Sequence, residues 1–177
     1  FRILYKETII VRIIYFCPPL PYGLGVLTAF LRDNNYNVTL DDLSIKVEKN
    51  NRKLWLSSNS RIDLNTVRYE REIIDYLCGR SHNRKIEHFS EQIVQIACCE
   101  GYDLIGISVM EYYHFLFALL VSKKIRSISD TKIVLGGAFI TLYGKELFDQ
   151  FPIVDYMLMG DGQIPLLRLI EHLEEKI

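Results

Sequence analysis

The sequence predicts an α/β domain, a doubly wound parallel sheet of five strands with helices on both faces. Two observations carry that prediction. Five short runs rich in Ile, Val, Leu and aromatic residues alternate with stretches whose apolar residues recur at helical spacing. Four of these runs lead directly into short loops, most of them marked by glycine or proline: 18–25, Ser108-Val109-Met110, Gly136-Gly137-Ala138 and Gly160-Asp161-Gly162-Gln163. In an open parallel sheet, loops at the carboxyl ends of the strands line the ligand crevice. Four of them on one edge suit a broad, relatively flat ligand.

Each element follows from local signals. Ile9–Phe16 is a buried first strand ending before Pro18-Pro19. Leu24, Leu27, Phe30 and Leu31 mark a helix that Asn34-Asn35 stops, and Tyr36–Leu40 is the second strand, closing on Asp41-Asp42. Strand, helix and strand make a βαβ unit. The polar stretch 44–83 is too long for an ordinary connection. A helical pattern through Val67, Ile74 and Leu77 stops at Gly79, so the segment reads as a helical insertion, packed on one face or serving as a second partner surface. Ile86–Cys99 is a helix with Phe89, Ile93, Ile96 and Ala97 on one face and Gly101 as its C-cap.

Asp103–Val109 is the third strand and, being mostly apolar, central. A helix at Tyr113–Ser127, a strand at Lys132–Leu135 and a helix at Leu142–Gln150 follow. Val154–Met159 is the fifth strand, and Pro165–Lys176 closes the domain with Leu166, Leu169, Ile170 and Leu173 facing inward. Residues 1–177 are read as a single domain, and the class prior is a flavodoxin-like strand order, 2-1-3-4-5.

Composition narrows the function. The net charge is −1 and basic residues are scattered, which argues against nucleic acid, since phosphate binding needs a concentrated positive field. No apolar run reaches the roughly 18–20 residues of a spanning helix, so no membrane partner is expected. Ile9–Phe16 is interrupted by Arg12 and lacks a small-residue cleavage site, and so reads as a strand and not as a signal. The four cysteines (Cys17, Cys78, Cys98 and Cys99) show no metal spacing and read as buried apolar residues in a reducing cytoplasm.

The loops, in this order, resemble the cobalamin-binding domain at the N-terminus of many radical S-adenosylmethionine enzymes. Residues 21–31 (PYGLGVLTAFL) are similar to that family's segment after the first strand, and 103–109 (DLIGISV) to its third strand and following loop. Ile133-Val134-Leu135-Gly136-Gly137-Ala138, then Val154-Asp155-Tyr156 with Gly160-Asp161-Gly162, are similar to its last two strand–loop elements. The likeness spans nearly the whole chain outside 44–83.

The resemblance implies a cobalamin-binding module that holds and orients the corrinoid for a methyltransferase or related enzyme. The ring would lie across the carboxyl ends of the strands, with the nucleotide tail beside the sheet. It implies contacts from Leu20, Tyr22, Gly23 and Leu24; from Ser108, a hydroxyl partner for the tail, with Val109 and Met110; from Gly136, Gly137 and Ala138, where the tail passes the backbone; and from Gly160, Asp161, Gly162 and Gln163. The segment 17–25 holds no histidine, so cobalt receives no protein imidazole, and Leu20 or Val109 would face it. S-adenosylmethionine and a four-iron four-sulfur cluster belong to a radical domain expected downstream or in a partner subunit. The Cys-x-x-x-Cys-x-x-Cys triplet that holds such a cluster is absent from these residues, so this segment alone carries no radical chemistry. Two positions depart from the family: Phe139 stands where it commonly has His, and Gln163 where it often has Glu.

Other residues are weighed on their own chemistry. His114 is near the proposed ligand edge, although a hydrogen-bonded loop histidine is the plainer reading. Glu111 suits a solvated N-cap better than an unpartnered acid or base. Asp41 and Asp42 end the second strand, where a ribose is often held or a helix begins. Tyr112-Tyr113 either stack on a macrocycle or pack beneath the loop. Two further functions fit the same elements. One is a module for another nucleotide cofactor, disfavoured because no Gly-x-Gly-x-x-Gly follows the first strand. The other is a ligand-free interaction domain, for which Phe139 and Gln163 speak.

Overall fold

The computed structural model describes residues 9–15, 22–42, 64–97 and 101–175. Its sheet has five parallel strands in the order β2-β1-β3-β4-β5, with β1 at Ile10–Tyr15, β2 at Asn37–Asp42, β3 at Leu104–Ser108, β4 at Lys132–Gly136 and β5 at Tyr156–Met157. Six α-helices are described: α1 (Tyr22–Asp33), α2 (Leu64–Leu77), α3 (Arg84–Ala97), α4 (Tyr112–Arg126), α5 (Ala138–Leu147) and α6 (Gln163–Glu174). This is the doubly wound, flavodoxin-like α/β architecture that the sequence predicts.

Period-two alternation divides the core into two halves. Val11, Ile13, Leu104 and Val134 face α1 and α6, where Leu31, Leu166 and Ile170 complete one half. Ile14, Ile105, Ile107, Ile133 and Leu135 face the other way, against Phe115, Leu119 and Ile125 of α4 and Ile140 of α5. Helix α4 is buried on a second side as well, where Leu116 and Leu120 meet Ile73 of α2 and Ile86 of α3. The long insertion thus contributes, through α2, a third layer over α4. Residues 43–63 lie outside the described residues.

The boundaries of several elements move. Helix α1 starts at Tyr22, two residues before the predicted start, so Tyr22, Gly23 and Leu24 belong to the helix and not to a loop. Burial of Leu24, Thr28 and Leu31 against the sheet overrides the poor propensity of Gly23 and Gly25. Helix α5 was expected over Leu142–Gln150. It begins at Ala138, and Phe148–Gln150 is a 3-10 turn. The fifth strand is only Tyr156–Met157, although Asp155 N donates to Ile133 O (3.1 Å) and Leu158 N to Leu135 O (2.8 Å) at its ends.

The buried charges have structural partners. Arg12, in the middle of β1, is ion-paired to Asp41 of β2, and its guanidinium lies 4.8 Å from the Tyr102 ring centroid. Asp41 is therefore committed to the sheet interior and is not a ribose ligand. The side chains of Phe89, Ile93, Ile96 and Ala97, expected on the inner face of α3, lie outside the described residues, as do Phe16, Cys17, Leu20, Cys98 and Cys99. Cys78, expected to be buried, is an exposed free thiol just after α2. Among the described residues no helix is long and apolar enough to cross a membrane.

Candidate functional site

The chain runs from β1 outward to β2, then returns past β1 to β3, so the point where the winding reverses lies between β1 and β3. Ligands of open α/β sheets bind outside the carboxyl ends of the strands at this reversal. Tyr15 ends the described part of β1 there, and Ser108-Val109-Met110-Glu111 leads from β3 into α4.

Backbone contacts tie three of the predicted loops together. Val109 N donates to Gly136 O (2.7 Å) and Phe139 N donates to Val109 O (3.2 Å). Gly160 N donates to the Thr141 hydroxyl of α5 (3.0 Å), and a β-carbon on Gly162 would meet Leu27 of α1 at 3.6 Å. Gly136, Gly137 and Gly160 thus share one edge, and Gly162 beside them packs against the middle of α1. The structure changes the reason for Gly137. A β-carbon there would lie 2.5 Å from Val109 O, so what crowds this residue is the protein's own backbone.

The helices that follow β3, β4 and β5 all start on this edge without a side-chain cap. Their N-cap residues are Glu111, Gly137 and Gly162, and none makes a capping hydrogen bond through its side chain. The opening N–H groups of a helix have no intrahelical acceptor, so the starts of the helices after β3 and β5 present donors to the edge, whereas in the helix after β4 the Phe139 N–H is already taken by Val109 O.

The predicted contact residues divide by exposure. Met110 is 42 % exposed and Tyr22 88 %, while Ala138 and Asp161 are also exposed and Gly162 and Gln163 half-buried. Ser108 is buried at the end of β3, opposite Gly136 in the register. The side chains of Val109 and Leu24 are in the core, Val109 with no exposed surface. Leu20 lies outside the described residues.

Aromatic side chains gather at the same edge. Tyr112 contacts Tyr113 and Phe139, and Phe139 packs against Phe115 and against Tyr143, with ring centroids 4.9 Å apart in the last pair. The Tyr112 phenol is hydrogen-bonded to the Glu70 carboxylate of α2. Burial, followed by that bond and its negative charge, pushes the phenol up to about 12. Sequence reasoning missed Glu70 and Tyr143. The i,i+4 spacing of Phe139 and Tyr143 was a readable signal for the second, whereas nothing local marked Glu70.

His114 is in the first turn of α4 and is 9 % exposed. Its ring stands edge-on to Tyr15, with centroids 6.0 Å apart and planes at 82°, which bridges the ends of β1 and β3. Nε2 lies 3.5 Å from a Glu111 carboxylate oxygen, and Nδ1 is buried with no hydrogen-bond partner. Burial lowers the imidazole pKa, while Glu111 pulls it upward to a smaller extent. The described residues contain no group of three or more His, Cys, Asp or Glu side chains able to hold a metal ion.

Compared with known protein families and with curated proteins, the chain matches none.

Proposed function

We propose that this chain is the cobalamin-binding module of a radical S-adenosylmethionine enzyme, a methyltransferase or relative, and that it holds and orients the corrinoid without a histidine on cobalt. The observation that carries the reading is the row of three helix starts without side-chain caps along the carboxyl edge of a 2-1-3-4-5 sheet, two of which, those of α4 and α6, leave their opening N–H groups to the edge. A corrinoid suits such an edge because its periphery and phosphate-bearing tail are rich in oxygen acceptors.

The residues present fit the group in part. Met110, Tyr112 and Tyr143 provide exposed apolar surface beside these helix starts, and Gly160 to Gln163 form the turn on the β5 side. His114 Nδ1 is an orphaned buried polar atom at the β1–β3 reversal. When bound, cobalamin would supply a cobalt centre able to carry a methyl group. The protein's own part is to orient the ring and shield one face from water.

Titration of the chain with hydroxocobalamin, read by visible absorption and thermal melting, tests the reading. A saturable spectral shift with a raised melting temperature is expected, because a ligand stabilises the state it binds. An unchanged spectrum and melting temperature overturn it.

One observation favours a second reading, a ligand-free interaction domain. Phe139 fills the space between Tyr112, Phe115 and Tyr143 with the chain's own rings. That reading predicts no response to cobalamin.

A further inference from the structure

The first turn of α4 combines donors and an acceptor in an unusual way. Its first intrahelical bond runs from Phe115 N to Glu111 O, so the N–H groups of Tyr112, Tyr113 and His114 open the helix before any such bond, and Glu111 does not cap them. Beside them is His114, whose Nε2 faces the Glu111 carboxylate at 3.5 Å. A carboxylate accepts only, so its charge favours the tautomer with the imidazole proton on Nε2, in which Nδ1 is a bare acceptor. That acceptor is buried and unpartnered, a costly arrangement that a bound donor would relieve.

Donors and an acceptor side by side match one chemical group, the primary carboxamide, which has an oxygen to accept and an N–H to donate. We propose that His114 and the open first turn of α4 form a subsite for a primary carboxamide on the ligand's periphery. Nδ1 accepts from the amide N–H, and the helix N–H groups donate to the amide oxygen. This rests on the cobalamin reading, since the corrin rim carries such amides. His114 then positions the ring from its edge and stays away from cobalt. Nδ1 is buried in this structure, so the amide reaches it only when the side chains that cover it move aside.

The test compares hydroxocobalamin with its peripheral monocarboxylic acids, in each of which one side-chain amide is hydrolysed. A carboxylate has no N–H to give Nδ1 and is repelled by Glu111. The parent chain is expected to bind at least one monoacid about tenfold more weakly or worse, a difference of about 1.4 kcal/mol. His114→Phe, which keeps a ring against Tyr15, is expected to bind hydroxocobalamin about tenfold more weakly and to lose this discrimination. A merely structural histidine would leave the discrimination in place. Histidine 15N resonances of the unaltered chain give a reading that does not depend on a variant folding: the His114 Nδ1 signal should move on saturation with hydroxocobalamin.

An unmoved Nδ1 signal in a saturated complex overturns the subsite alone, as does a folded His114→Phe chain that keeps the parent's discrimination. No binding by the parent overturns the cobalamin reading and the subsite together.

Discussion

The backbone carbonyl of Val109 lies 2.5 Å from the point where a β-carbon on Gly137 would stand, and Gly137 has a φ of +102°. The end of β3 and the turn after β4 are therefore pressed together so closely that only glycine fits. Phe139 N also donates to Val109 O, so one carbonyl both excludes a side chain and anchors α5.

Gly137→Ala should accordingly cost about 2–4 kcal/mol, the sum of backbone strain and a steric clash that neither backbone can relieve by rotating a side chain. Gly160 is the control. Its φ is +83°, but a β-carbon there meets nothing within 4 Å. Gly160→Ala should cost only the conformational term, about 1–2 kcal/mol. Urea unfolding of the two variants checks the contrast. Equal losses would mean that the Val109 contact does not matter.

The Arg12–Asp41 pair links β1 to β2 inside the protein, with both side chains almost wholly buried. Asp41→Asn should lower stability by about 3–5 kcal/mol, because it leaves the guanidinium buried without its counter-charge. Replacing both partners, as Arg12→Met with Asp41→Leu, should recover most of that loss by removing the desolvation cost. Chemical denaturation of the single and double variants measures this, and a double variant as unstable as Asp41→Asn would argue against it.

Tyr112 links the insertion to the carboxyl edge through Glu70. With the carboxylate neutralised in Glu70→Gln, the Tyr112 phenol should ionise at a lower pH than about 12. Burial, the larger cause, would remain, so the fall should be partial. Carbon-13 NMR of ring-labelled tyrosine follows this one phenol, and an unchanged titration would rule out the contact.

His114 makes folding depend on pH. Burial lowers its pKa in the folded state below the ordinary value of 6.5, so the unfolded chain binds the proton more readily. The contribution of this residue is therefore complete above about pH 7 and is lost as the pH falls below 6.5 toward the folded value. Urea unfolding from pH 8 to about pH 5 should show a stability decline in the parent that is shallower in His114→Phe. Parallel curves would mean that the imidazole is not sealed from water.

Much of this architecture was legible in local pattern. The apolar runs 9–15, 104–108 and 132–136 became central strands because strands covered on both faces need near-continuous apolar sequence. The inward face of α6 was readable from the spacing of Leu166, Leu169, Ile170 and Leu173. Helix starts were harder. Glu111, Gly137 and Gly162 cap nothing through their side chains, so the usual Ser, Thr, Asp or Asn signal was missing at all three. The start of α5 was consequently read four residues too late.

By itself the sequence determined which runs become strands, which helix faces turn inward and which loops gather on one edge, because periodicity and turn chemistry act over a few residues. Only the tertiary structure decided that Val109 is core, that Asp41 answers Arg12, that Glu70 holds Tyr112, and that His114 bridges β1 and β3 with one nitrogen unmet. These relationships join residues from different elements, most of them far apart in the chain. Whether such groups meet depends on how strands register and helices pack, and no local pattern records that.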